Sequence, residues 1–436
     1  GYGYYEEFRP NNKLKKFGFE NIKIDSATTI KKTDFVRKKG LSQNTFGIVW
    51  NAKYENGNWN IIGGVALQDF IGNHFGYVTY VKDETVRQKY LSEGRYKYYD
   101  SDADKLDGSA FVKMSYNITE LISVFGDIQY RHVGYKTDGI NDKFYEVESS
   151  YYNQQLDIDK KYDFWNPKAG LNYNIGANRF YGSFAISHRE PERNNFTDNG
   201  KYAAPKAESV FDYEIGHQYT SDFLQTAINL YYMDYKNQFV QTGEQSDIGE
   251  NLTTNIKKSH RAGVELQAEV NATQWLNIAG NAALSVNKIE NFDEIVEDWD
   301  NGSQTNHYSN STLAFSPSTI LNGFITLHHK GWKAVWHTGY VSRQYLDNTE
   351  CKDRSLPAYS VSDINLSYTL KLHKVLKEAI FGLNFNNVFD RHYASSGWVY
   401  SAICESAGHT NDNRYYQIGF IPMAGFTTMG NITLKF

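Results

Sequence analysis

The chain has 436 residues, a net charge of -5 and a pI near 6.2, with no block of Lys or Arg, which sets nucleic acid aside as a partner. Mean hydropathy is -0.60 and no apolar run approaches the roughly 20 residues that a spanning helix needs, so a helical membrane protein is excluded. Aromatic residues are 16% of the chain, 34 Tyr and 26 Phe among them, which suits a surface with two aromatic girdles. The first residues, GYGYYEEFRP, lack a charged segment followed by an apolar core, so no signal peptide is read there. The sequence is expected to be mature or to start inside a longer protein.

In chain order, residues 1–6 read as the tail of a strand and 8–33 as a long polar loop. A strand over 34–54 turns at Glu55-Asn56-Gly57-Asn58, where Asn-Gly is a strong hairpin signal, and returns from Trp59 through WNIIGGVALQ. A loop is expected over 69–107, then the strand FVKMSYN, a turn at Ile118-Thr119-Glu120, the strand LISVFGDIQYRH, and a second long loop over 133–165. Strands at about 166–175 and 180–189 flank a short turn, and strands at 208–219 and 223–235 flank Thr220-Ser221-Asp222.

The stretch 259–287 sets the pattern most clearly. Ala262, Val264, Leu266, Ala268 and Val270 interleave with Arg261, Gly263, Glu265, Gln267 and Glu269, and the return run alternates in the same way through Leu276, Ile278, Ala282, Leu284 and Val286. Runs of nine or more residues exceed the five or six of an ordinary strand and match the 9–11 of a tilted strand crossing a bilayer. Val264 and Leu266 are expected to face lipid, Glu265 and Gln267 a watery lumen. Further strands follow at 319–329 and 332–343 around Lys330-Gly331, at 359–370 and 379–389, and in the closing AGFTTMGNITLKF.

The fold class is therefore all-β, a transmembrane antiparallel β-barrel with about 16 strands present, long extracellular loops and short periplasmic turns. Residues leaving the short turns are large or aromatic (Trp59, Leu121, Phe180, Phe223, Trp275, Trp332), and Tyr54, Tyr116, Tyr173 and Tyr219 enter them. These read as one interfacial girdle, with ordinary cross-strand aromatic pairing as the competing account.

The terminal Phe436, on one face with Phe426, Ile432 and Leu434, resembles the assembly signal of Gram-negative outer-membrane proteins. FGLNFNNVFDRHYASSGWVY, FWNPKAGLNYNI, SFAISHREPERNNFTD, FDYEIGHQY and INLYYMDYKNQ resemble successive strands of TonB-dependent receptors, and the resemblance covers nearly the whole chain. It implies a barrel of 22 strands, of which residues 1–436 would be the C-terminal part, with the N-terminal plug and first strands absent from this sequence. A separate sixteen-stranded porin is the rival reading.

The resemblance further implies location in the cell outer membrane and active import of a scarce nutrient, such as a ferric siderophore or similar metal chelate. Implied partners are TonB through the plug region, the small-molecule cargo, outer-membrane lipid, lipopolysaccharide and a surface lipoprotein. A SusC-like glycan importer and a passive porin are the alternatives.

Candidate sites follow from position. The cluster His188 to Asn195 lies where the inward face of a strand reaches the extracellular mouth and resembles the segment that enters the seventh extracellular loop of TonB-dependent receptors, which implies that Arg189, Glu190, Arg193, Asn194 and Asn195 meet cargo. An Arg–Glu network that stiffens the loop is the competing role. Trp398 and Tyr400 mark a second, aromatic place. Cys351 and Cys404 fall in extracellular loops, where disulfides persist, and are expected to pair. No metal site or cofactor is expected: His74, His188 and His307 show no ligand spacing, and Asp100-Ser101-Asp102-Ala103-Asp104 lacks the offsets of a calcium loop. No nucleophile motif appears, so an enzyme is not expected.

Overall fold

The computed structural model describes residues 1–147, 150–198, 203–245, 251–372 and 375–436. Contacts divide it into two compact units, residues 1–55 with 61–113 and 128–166, and residues 56–60 with 114–127 and 167–436.

In the first unit, β1 (Tyr2–Lys13) is followed by the short pair β2 (Ile22–Lys23) and β3 (Thr29–Ile30), and then by β4 (Lys32–Asn56). β1 runs antiparallel to the start of β4, with Tyr2 opposite Ser42. β5 (Trp59–Val81), α1 (Glu84–Tyr90), β6 (Tyr96–Asn117), β7 (Ile122–Val147) and β8 (Ser150–Ile175) follow, with their residues at 59–60, 114–127 and 167–175 belonging to the second unit. The expected loops at 69–107 and 133–165 are thus largely strand, and that at 8–33 is strand in part. Ladder pairing satisfies backbone groups wherever the chain runs, whereas alternation appears only where one face meets an apolar medium; ribbons beyond that medium carry no such pattern.

The same ribbons enclose a core of their own. Leu14, Phe17, Phe19, Phe35, Val78 and Val86 are buried together, with Phe19 stacked on Tyr90 at 4.2 Å between ring centroids. Each such side chain contributes about 1.5–3 kcal/mol when fully buried. The Asp83 carboxylate accepts the Val86 amide at 3.0 Å, capping α1 and fixing how Val86 enters this core.

The second unit contains β9 (Asn178–Arg189), α2 (Arg193–Thr197), β10 (Glu208–Thr220), β11 (Leu224–Gln245), β12 (Asn251–Thr273), β13 (Leu276–Asp298) and β14 (Gly302–Thr312). It continues with β15 (Thr319–His329), β16 (Trp332–Val341), β17 (Gln344–Tyr345), β18 (Ser355–Leu356), β19 (Tyr359–Lys371), β20 (Glu378–Asn386), β21 (Ala394–Ile403), β22 (Tyr415–Pro422) and β23 (Thr427–Lys435). Consecutive antiparallel pairs run from β9 to β13, then through β15, β16, β19 and β20 to β23.

β13 is split between two partners: Leu276 to Leu284 pairs with β15, and Lys288 to Asp298 pairs with β14. β21 and β22 form a hairpin that comes between β20 and β23 in sequence, while β20 and β23 pair directly with each other. Setting aside β14, β21 and β22 from the 19 strands of the main sheet leaves sixteen among the described residues, the number that alternation suggests.

The two faces differ as the pattern requires. Ile228, Leu266, Ala282 and Leu321 lie opposite one another in one row, and Leu230, Val264 and Leu284 in the next. The alternate rows carry Ala227, Gln267, Asn281 and Asn322, and Asn229 with Glu265. Large apolar side chains including Ile215, Leu230, Leu266, Leu284 and Ile325 are exposed, which is the arrangement of a lipid-facing belt.

Beside the short turns Trp59, Phe180, Phe223, Trp275 and Trp332 are exposed, and rings pair across strands: Trp59 with Tyr116 at 4.5 Å and Trp332 with Tyr368 at 4.8 Å. The turns are fixed locally. Thr273 Oγ1 accepts the Leu276 amide at 3.1 Å, and Lys330 and Gly331 both take positive φ, as a two-residue hairpin turn demands.

Candidate functional site

At the end of the second unit away from the short turns, strand extensions and loops are fastened together by buried polar contacts. The Arg414 guanidinium donates to both oxygens of Glu294 at 2.8 and 2.9 Å and to Tyr308 Oη at 3.3 Å, tying the segment before β22 to the β13–β14 ribbon. Arg354 Nε donates to Asp347 Oδ2 at 2.6 Å, closing the 345–356 loop. The Asn348 side chain is fully buried; its oxygen accepts the Ala314 amide at 2.8 Å, and its amide donates to the Gln241 carbonyl at 2.9 Å. Leu346, Leu356 and Val399 form the small core behind it, with Phe315 packed on them.

That fastening shapes an inner pocket. Phe315, at φ 51°, is held by its amide donating to the Tyr345 carbonyl at 2.9 Å, and the chain at Ser316 and Pro317 then bends across the polar face of β12 and β13. The cavity beneath is about 340 Å³, the lower part of the range for small-molecule sites. Three rows of the sheet floor it: Met233, Arg261 and Asn287; Tyr231, Gly263 and Ser285; Asn229, Glu265 and Ala283. Glu214, opposite Tyr231, closes one side. A Cβ at Gly263 would lie 2.5 Å from Tyr231 Oη, so only glycine lets that ring lie flat across the floor. Arg261 Nη1 donates to Asn287 Oδ1 at 3.4 Å and to Ser316 Oγ at 3.3 Å, and Glu265 accepts from the Asn229 amide at 3.4 Å.

The residues singled out from sequence are distributed differently. Arg189 is 51% exposed, donates to Glu208 Oε2 at 3.3 Å and lies 5.2 Å from the Phe239 ring centroid. Its carboxylate partner is thus Glu208 on the next strand. Glu190 and Asn195 are buried. Asn195 accepts the Glu192 amide at 2.7 Å and donates to Thr253 at 2.6 Å, so it caps α2 and docks it on β12. Arg193 opens α2 half-buried, and the Asn194 carboxamide oxygen is buried without a hydrogen-bond partner among the described residues.

Trp398 and Tyr400 lie on β21, away from that cluster. The Trp398 indole covers Gly419 on β22, where a Cβ would come within 2.0 Å of Nε1. Tyr400 Oη donates to Glu297 and accepts from Trp299 Nε1 at 3.2 Å. The expected disulfide is corrected: Cys351 and Cys404 are free thiols, the first half-buried and the second buried with Sγ 3.4 Å from Ser406 Oγ. Loop membership placed both at one end of the molecule, but disulfide geometry depends on the direction of the Cβ vectors, which it does not fix.

Two loop carboxylates titrate below their usual range. Hydrogen bonds from the Ser406 hydroxyl and amide hold Asp300 down. For Glu350, burial works upward but is outweighed by hydrogen bonds from Lys288, at 2.6 Å, and Thr312. Among the described residues no three His, Cys, Asp or Glu side chains gather as a metal site would require. The pocket was not read from the sequence. Arg261 and Glu265 were visible as inward-facing charges, yet nothing in their spacing told that Ser316 and Phe315 bend over them.

The family described as "TonB dependent receptor-like, beta-barrel" matches residues 1–388. No curated protein matches the chain. Among solved structures the chain is similar to the copper transporter OprC (14% identity, TM-score 0.66, 91% of this chain and 57% of that one). It is similar also to the ferric-catecholate import receptor Fiu from K12 E. coli (15%, TM-score 0.58, 95% and 58%) and to the ferric yersiniabactin uptake receptor FyuA from Yersinia pestis (14%, TM-score 0.58, 93% and 57%). At such identities the likeness carries the fold, and the chain spans somewhat more than half the length of these relatives. The family is one of transport proteins rather than enzymes. The chain belongs to the TonB-dependent receptors and has their β-barrel fold.

Proposed function

We propose that this barrel serves TonB-dependent import, across the outer membrane, of a scarce nutrient carried as a small metal chelate such as a ferric siderophore. The observation that carries the reading is the pairing of an apolar outer belt with a charged inner face that ends in a roofed pocket, within a family of transporters. Solved relatives named for copper, ferric catecholate and ferric yersiniabactin support cargo of this class. Arg189 and Arg193 are assigned to the first capture of an anionic or carbonyl-rich chelate, because Arg grips such groups by paired hydrogen bonds. TonB supplies the pull, and lipopolysaccharide surrounds the belt; a surface lipoprotein is the remaining partner in this reading.

The test is growth of a deletion strain on single iron or other metal chelates, with labelled-chelate uptake measured with and without the proton-motive force. Uptake that survives collapse of that force, or that is unchanged by the deletion on every chelate tried, discards the reading.

A further inference from the structure

The inner pocket holds two charged groups, Arg261 and Glu265, that have no ion-pair partner among the described residues. Arg261 has five N–H donors, yet among the described residues its side-chain hydrogen bonds are two, of 3.3 and 3.4 Å, to neutral groups. Glu265, four residues along the same strand and on the same face, meets an amide at 3.4 Å, and Glu214, with Asp212 and Lys168 near it, lines the pocket beside Tyr231. The guanidinium and Met233 therefore stand at one end of the cavity and the Glu265 carboxylate at the other, with the Tyr231 ring between them and Glu214 at the side of that middle row. An anion alone would meet two repelling carboxylates, and a cation alone would leave the guanidinium poorly met. A metal ion finds no third ligand among the described residues.

We propose that this pocket binds a short zwitterionic chain, with its carboxylate on Arg261, its ammonium on Glu265 and its apolar middle against Tyr231. The spacing fits. Four residues of strand put the Cα atoms of Arg261 and Glu265 about 13 Å apart, and the side chains take up part of that distance. An extended tripeptide, about 10 Å long, spans what remains. Bidentate geometry favours a carboxylate over other anions at the guanidinium end. The inference deepens the import reading and rests on it for the origin of the ligand: the cargo, or its chelating molecule, would carry a free amine and a free carboxylate.

The experiment is isothermal titration calorimetry of the detergent-solubilised full chain with the tripeptide Ala-Leu-Ala, its N-acetyl form and its C-amide form. The free tripeptide is expected to bind at least tenfold more tightly than either capped form. Arg261→Gln should abolish the penalty for amidation while keeping that for acetylation, and Glu265→Gln should weaken the acetylation penalty while keeping that for amidation. Each variant is first checked for the heat-modifiable gel mobility of a folded barrel, and the comparison of capped forms on the unaltered protein decides the matter even where a variant fails to fold. No binding of the free tripeptide, or equal binding of all three forms, overturns the proposal. Failure of chelate uptake with selective tripeptide binding would remove the transport reading and leave the pocket standing. Chelate uptake without tripeptide selectivity would do the reverse.

Discussion

Replacing Leu266 by Arg puts a guanidinium into the apolar row formed with Ile228 and Ala282, while Gln267→Arg puts the same group into the polar row with Ala227 and Asn281. Leu266 is 39% exposed on the apolar face and lies seven residues before Thr273, the last residue of its strand. At about 3.4 Å per residue that is roughly 24 Å of strand, and at a tilt near 45° about 17 Å of height, in the middle portion of a band about 25 Å tall. Arg near the midplane costs about 2–4 kcal/mol, a factor of roughly 30 to 700 in the folded population. Gln267→Arg should stay within about 0.5 kcal/mol. Heat-modifiable gel mobility after assembly, followed by urea titration of whatever folds, reads both. Equal tolerance of the two substitutions, or a larger loss for Gln267→Arg, would refute the assignment of faces.

Removing both Arg189 and Arg193 by Ala should lower chelate affinity about tenfold or more, from loss of charge-assisted hydrogen bonds; binding and surface abundance measured on the same cells separate this from lost loop packing, which would reduce abundance alone. Asp300 and Glu350 are both depressed by folding, so their contribution is present above the ordinary carboxylate value near 4 and disappears as the pH falls through the lower folded values. The Ser406 amide, which donates to Asp300 at 2.9 Å, should accordingly lose exchange protection only below about pH 4; loss at higher pH contradicts the cause given. In the folded protein Cys351 should react with a thiol reagent and Cys404 should not, until denaturation exposes it; two unreactive sulfurs under non-reducing conditions would mean that they are joined after all.

The belt was legible in the sequence because lipid imposes a rule on every second residue: Val264 and Leu266 could be assigned a face without knowing their neighbours. Beyond the belt that rule lapses. Residues 133–165 are polar on both faces and read as loop, although β7 and β8 run through most of them. The β21–β22 hairpin was missed for a different reason, since it is set by burial of Val399 against Leu346 and by the Arg414–Glu294 pair, contacts between distant parts of the chain. The Arg189 cluster was located correctly at a strand end, but its partner Glu208 lies 19 residues on, further than charge patterning within one segment can reach. The inner pocket needed one more step: a buried asparagine, Asn348, fixes the bend that roofs it, and no composition rule marks such a residue in advance.

Arg414 and Glu294 are 120 residues apart, and this separation bears on the order in which the protein matures. Bringing together the ends of a flexible segment that long costs roughly 4 kcal/mol from its logarithmic length dependence, and a buried charge without its partner is penalised further. The clasp can close only after the β13–β14 ribbon and the final hairpin are both in place, which makes it one of the last events of assembly. A barrel whose wall is complete but whose clasp is open would present loose hairpins to proteases, so limited proteolysis near residues 404–414 should report how far newly made receptor has advanced.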